Sequence, residues 1–132
     1  METKEKSTKI TETDFFKGLF ATFASRNYKT VLFNKYFGEV TVKVFQEFTE
    51  YAKQRGAELN FRIQLHPLHG DSETIHRGIL CAAQTGIISL DSPGRIIRIK
   101  LTKDEADAIL DNITGGKLFI GFADRIIDIF SH

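Results

Sequence analysis

Apolar and polar residues alternate strictly from Leu59 to His66, with Leu59, Phe61, Ile63 and Leu65 set against Asn60, Arg62, Gln64 and His66. A period of two over eight residues predicts a strand. The period then changes. Asp71 or Ser72 can accept hydrogen bonds from the free amides of a helix start, and Ile75, Ile79 and Ala82 or Ala83 recur at helical spacing until Gly86 offers a stop, which predicts a helix over about 72–85. Ile87 to Leu90 and Arg95 to Leu101 are β-branched runs joined by Asp91-Ser92-Pro93-Gly94, a turn sequence, and predict a hairpin. Thr102 and Glu105 have the spacing of a capping box ahead of Ala106, Ile109, Leu110 and Ile113, so a second helix runs to just before Gly115-Gly116. Lys117 to Phe122 reads as a further strand, and Arg125 to Phe130 alternates so that it permits a last strand or a short helix, of which the strand is taken.

The order strand, helix, strand, strand, helix, strand over residues 58–122 is that of a ferredoxin-like split βαβ unit, an α+β fold with two helices on one face of an antiparallel sheet. Its first and third strands are central neighbours. Arg62 and Gln64 are therefore expected beside Arg98 and Lys100 on the sheet face turned away from the helices, while Phe61, Ile63, Ile97 and Ile99 point into the core.

Upstream, Phe16, Leu19, Phe20 and Phe23 form a stripe at helical spacing and predict an amphipathic helix over 13–27. Val44, Phe48, Tyr51 and Ala52 predict another, closed by Gly56, with Lys53, Gln54 and Arg55 bringing cations to its C-terminus. The stretch from Thr30 to Phe37 permits a short strand and decides nothing further. Phe15, Phe16, Phe20 and Phe23 are more rings than one packing face usually needs, which makes them either core or a surface that buries itself against a second copy or another partner. Residues 1–12 are polar and expected to be frayed, leaving 13–132 as one α+β domain.

Charge narrows the function classes. Eighteen basic and seventeen acidic residues leave a net charge of +1, which argues against wholesale neutralisation of a nucleic-acid backbone or an acidic membrane surface while leaving room for a local patch. No apolar run is long enough to span a bilayer, and the polar start of the chain does not resemble a signal peptide, so a cytoplasmic location is expected. The single cysteine, Cys81, excludes an internal disulfide and sits between Leu80 and Ala82 as a small hydrophobe.

Candidate chemistry is sparse. His66, His69 and His76 fall within eleven residues together with Asp71 and Glu73, a set that could converge on a metal for hydrolysis, but the spacing matches neither an HExxH helix nor a paired Cys/His finger. No nucleophile elbow or glycine-rich phosphate loop is present, and nothing requires a cofactor. Asp104, Glu105, Asp107 and Asp111 share a helix with a clear apolar stripe and read as its solvated face.

Residues 72–113 also resemble part of a winged helix-turn-helix repressor. Ser72, Thr74, Ile75, His76 and Arg77 stand as in a recognition helix, Gly86-Ile87-Ile88 opens a wing, Pro93-Gly94 forms its tip, and Leu101-Thr102 leads into the next helix. That resemblance implies a DNA-binding regulator with Arg77, Gln84 and Arg95 facing the duplex. It departs at 59–66, which alternate as a strand, and at Pro67, where the preceding helix should run.

The reading adopted from the sequence is a small non-enzymatic binding or regulatory protein that uses the basic sheet face, Arg62, Gln64, Arg98 and Lys100, to engage an acidic protein partner or ligand. Arg offers such a partner bidentate geometry and Lys a point charge. RNA-recognition domains use the same face, but with stacking aromatics that these positions lack.

Overall fold

The computed structural model describes residues 8–33, 35–63, 72–91 and 96–131. Ten elements follow in the order β1 (Thr8–Ile10), α1 (Glu12–Ser25), β2 (Thr30–Leu32), α2 (Lys35–Lys53), β3 (Ala57–Leu59), α3 (Glu73–Gln84), β4 (Ile88–Asp91), β5 (Ile96–Ile99), α4 (Lys103–Asn112) and α5 (Gly116–Phe130). The class is mixed helix and sheet, as the periodicities required.

Three helix starts are fixed by side chains that satisfy free amides. The Thr11 hydroxyl accepts from the Asp14 amide at 3.2 Å, Ser72 from Ile75 at 3.3 Å and Thr102 from Glu105 at 3.1 Å. Glu105 returns the favour through Oε1, which accepts from the Thr102 amide at 2.9 Å and completes the predicted capping box. Gly115, at φ 81°, turns the chain sharply between α4 and α5, a left-handed conformation that costs a glycine nothing.

The ferredoxin-like arrangement expected over 58–122 is not what forms. Residues 117–122 and 125–130 belong to one helix, α5, because Phe119, Phe122, Ala123, Ile126 and Ile129 recur at helical spacing and all are buried. The predicted strand at 59–66 shrinks to β3, which ends at Leu59; Phe61 and Ile63 follow it outside any strand, and the remaining positions from Gln64 lie outside the described residues. The alternation there is met by packing. Ile63 is buried, and the Phe61 ring lies 5.6 Å from that of Phe15 and 5.3 Å from that of Phe45. Nor does β3 neighbour β5: it pairs in parallel with β1, Thr8 to Ala57 and Ile10 to Leu59. β1 thus lies inside the stretch expected to fray, anchored by Ile10, which is fully buried.

A three-stranded antiparallel sheet of order β2-β5-β4 forms the second layer. Helix α1 is the hub of the core and packs on α3, α4 and α5. Gly78 lets α3 come down onto the Phe16 ring, and Phe15 is surrounded by Phe16, Phe45, Phe48, Phe61 and Phe119 at centroid distances of 5.3–6.1 Å. Phe15, Phe16, Phe20 and Phe23 are each at most 3% exposed. They are the core of this chain and offer a partner no surface, because α1 is covered on several sides at once and needs apolar residues beyond one stripe.

Candidate functional site

The site is the side of the three-stranded sheet turned away from the helices. Residues directly opposite one another on antiparallel strands point the same way, so the register sorts the two faces. Ile97 with Val31 and Leu90, and Ile99 with Ile88, face inward; Arg98 with Thr30 and Ser89, and Ile96 with Leu32, face outward. Burial agrees for Ile97, Ile99 and Ile88, which are buried, and for Thr30, Leu32, Ile96 and Arg98, which are exposed; Leu90 faces inward but sits on the edge strand β4 and stays 44% exposed. Arg98 stands on the central strand with two short hydroxyl side chains beside it. One pair farther along, Leu32 at 65% and Ile96 at 36% exposure make an apolar end to the same face.

Two apolar grooves open at this end of the sheet. One, of about 470 Å³, runs between β2, the start of α2 and the end of α5, and Tyr28, Leu32, Tyr36, Phe37 and Phe130 line it. The other, of about 560 Å³, lies between α3 and the sheet, walled by Phe33, Ile79, Leu80, Ala83 and Leu90. The two adjoin at Phe33 and Phe37, whose rings meet edge to face at 5.3 Å. Tyr28, Leu32, Tyr36, Leu80, Leu90 and Ile96 are all more than a third exposed. Such a concentration of apolar surface marks interaction sites.

The four residues assigned to the basic face are only partly brought together. Arg98 and Lys100 are both exposed and two positions apart, Arg98 on β5 and Lys100 just past its end. Arg62 is exposed but follows β3, a strand of the other sheet, so the register that would set it beside Arg98 does not exist. Gln64 lies outside the described residues. Lys100 also lines a third groove, of about 760 Å³, with Asp14, Lys17 and Glu105, where charges of both signs alternate.

The exposed side of α3 carries Glu73, His76, Arg77, Leu80 and Gln84. Its cation is engaged: Arg77 Nε donates to Glu12 Oε2 and Nη2 to Oε1, both at 3.1 Å. That hydrogen-bonded pairing, with the Glu12 charge, holds the guanidinium pKa above its ordinary value. His66 and His69 lie outside the described residues and His76 is exposed; among the described residues no three His, Cys, Asp or Glu side chains gather as a ligand set. Cys81 is half-buried. No helix among the described residues is long and apolar enough to cross a membrane.

The apolar rim was not singled out from the sequence. Its signal was the β-branched start of the Thr30–Phe37 stretch, which permits a short strand and decides nothing further. No protein-family model, curated protein or solved structure matches the chain.

Proposed function

We propose that this chain is a small non-enzymatic binding or regulatory protein that holds an acidic partner segment on the outward face of the β2-β5-β4 sheet. The observation that carries the reading is the placement of Arg98 at the centre of that face, two residues along β5 from the exposed Ile96–Leu32 pair. Two residues of a strand span about 7 Å. An extended segment with a carboxylate two positions from an apolar side chain would meet both features, the carboxylate at Arg98 with Lys100 beyond it. Fluorescence anisotropy with a labelled peptide alternating Glu and Leu tests this against an alternating Lys and Leu peptide. Binding of the acidic peptide that weakens with salt and with Arg98→Glu supports the reading; equal binding by wild type and a folded Arg98→Glu variant overturns it.

One observation favours a second reading, a winged-helix DNA-binding regulator: α3, the β4–β5 hairpin and α4 follow one another as that resemblance requires. Against it, Pro67 stands where the helix preceding a recognition helix should run. The exposed side of α3 also presents Glu73 and Leu80 where phosphate contacts need cations. Salt-dependent binding to random-sequence duplex DNA, lost on Arg77→Ala, would favour this reading over the first.

A further inference from the structure

Among the described residues β2 is an edge strand, with a defined set of open backbone groups. The Ile99 amide donates to the Lys29 carbonyl at 2.8 Å, which makes Lys29 and Ile99 a hydrogen-bonded pair of the β2–β5 ladder. In an antiparallel ladder such pairs alternate with non-bonded ones, so Thr30 and Leu32 turn their N–H and C=O groups away from β5 and onto the free edge. Alongside that edge lies the groove of about 470 Å³, and Leu32 stands out beside it.

We infer that β2 is a self-association edge, where a second copy of this chain pairs antiparallel about a two-fold axis through Val31. The open residues lie one on each side of Val31, so the axis sets Thr30 of each copy opposite Leu32 of the other. Each Thr30 amide then donates to a Leu32 carbonyl and each Leu32 amide to a Thr30 carbonyl, joining two three-stranded sheets into one. A two-fold interface must use one self-complementary patch. Here the patch is the open edge of β2 itself, with Leu32 and the hollow it lines beside Val31, Tyr36, Phe37 and Phe130, so each copy supplies the same groups to the other. The strand itself is uncharged and the net charge is +1, so no like charges meet across the pair. A stable interface takes about 800 Å² from each partner, near a tenth of the 7754 Å² of this chain. Tyr28, Leu32, Tyr36 and Ile96, all more than a third exposed, flank the edge and widen it towards that area. The pairing does not depend on the acidic-segment reading above.

Light scattering on the full chain tests the inference: a dimer has twice the 15.0 kDa mass of one chain. Thr30→Pro removes an edge donor that the β2–β5 ladder does not use, and Pro is tolerated at such positions. It is expected to weaken the dimer about tenfold or more while circular dichroism stays native; if that variant fails to fold, Leu32→Lys serves instead. In a Cys81→Ser background, Val31→Cys should cross-link the two copies on mild oxidation, because a non-bonded antiparallel pair brings its Cα atoms to about 4.5 Å, within disulfide range. Thr30→Cys, set opposite Leu32, should not. A mass of 15.0 kDa at all concentrations, a dimer that neither folded edge variant weakens, or equal cross-linking of the two cysteine variants overturns the inference.

Discussion

Gly18 lies directly under the ring of Phe119: a Cβ built on it would stand 2.6 Å from both Cδ2 and Cζ. The ring has nowhere to go, because Phe119 is fully buried, stacks on Phe48 at 4.4 Å and touches Phe15 at 6.1 Å. Gly18 is therefore the contact that lets α1 and α5 approach. Replacing an interior helical Gly by Ala normally gains about 1 kcal/mol, but overpacking a filled core costs about 1–3 kcal/mol, so Gly18→Ala is expected to destabilise. Gly121→Ala is the control. It meets only the hydroxyl end of Tyr51, from an exposed position on α5, so less has to shift and it is expected to destabilise less than Gly18→Ala. Thermal melts of the two variants check the contrast, which fails if both lower the midpoint equally.

The capping box of α4 makes a separable prediction. Thr102→Ala removes the acceptor for the Glu105 amide and is expected to cost about 1 kcal/mol. Glu105→Ala removes the reciprocal bond to the Thr102 amide. Since the two bonds hold one turn, the double variant should cost less than the sum of the singles. Additive losses in a denaturant-unfolding cycle would show that the bonds act independently.

What was legible in the sequence is what local chemistry decides. Ser72, the Ile75–Ile79–Ala82 stripe, the hairpin and the Thr102–Glu105 box each specify structure within a few residues, and each formed where its pattern stood. The failures came where a distant partner decided. Leu118-Phe119-Ile120-Gly121-Phe122 taken alone is apolar throughout and carries no period; the helical spacing emerges only when Ala123, Ile126 and Ile129 are read with Phe119 and Phe122, and packing against α1, α2 and α4 buries that face. Leu59 to Ile63 alternates well, but pairing needs a strand beside it, and β1 has its last residue at Ile10. The basic site was half visible for the same reason: Arg98 lies on β5 and Lys100 directly follows its end, so local sequence places them together, whereas placing Arg62 required the sheet order.

Arg77 distinguishes the two functional readings without a structure of any complex. Glu12 takes the Nε and Nη2 edge of its guanidinium, while Nη1 lies 4.0 Å from Glu73, so Glu12→Ala removes its closest competitor on the exposed side of α3. A duplex read by α3 should then bind more tightly, since a phosphate contact no longer competes with the hydrogen-bonded Glu12 carboxylate. With the outward sheet face as the binding surface, duplex affinity is expected to stay flat and binding of the acidic peptide to stay unchanged. Paired anisotropy titrations of the two ligands on wild type and Glu12→Ala decide between them.

Arg125 ties α5 to α2 through Glu47, with Nε donating to Oε1 at 2.6 Å and Nη2 to Oε2 at 2.9 Å, while Nη1 reaches Asp128 Oδ2 at 2.9 Å. The hydrogen bond from Arg125 is the main cause holding the Glu47 pKa below its ordinary 4.5, against a smaller opposing effect of desolvation. A carboxyl whose folded-state value is lowered stabilises the fold fully above its unfolded value, and that contribution disappears as pH falls through the folded one. Wild type should thus be more stable than Glu47→Gln by a constant margin at neutral pH, and the margin should shrink once pH drops below 4.5. The Glu47 side chain is 32% exposed, so solvent screens the pair and the margin should be small and fall with added salt. Unfolding midpoints for both proteins from neutral to about pH 3 measure it. A margin that persists at the acid end would mean that Glu47 acts through packing and not through its charge.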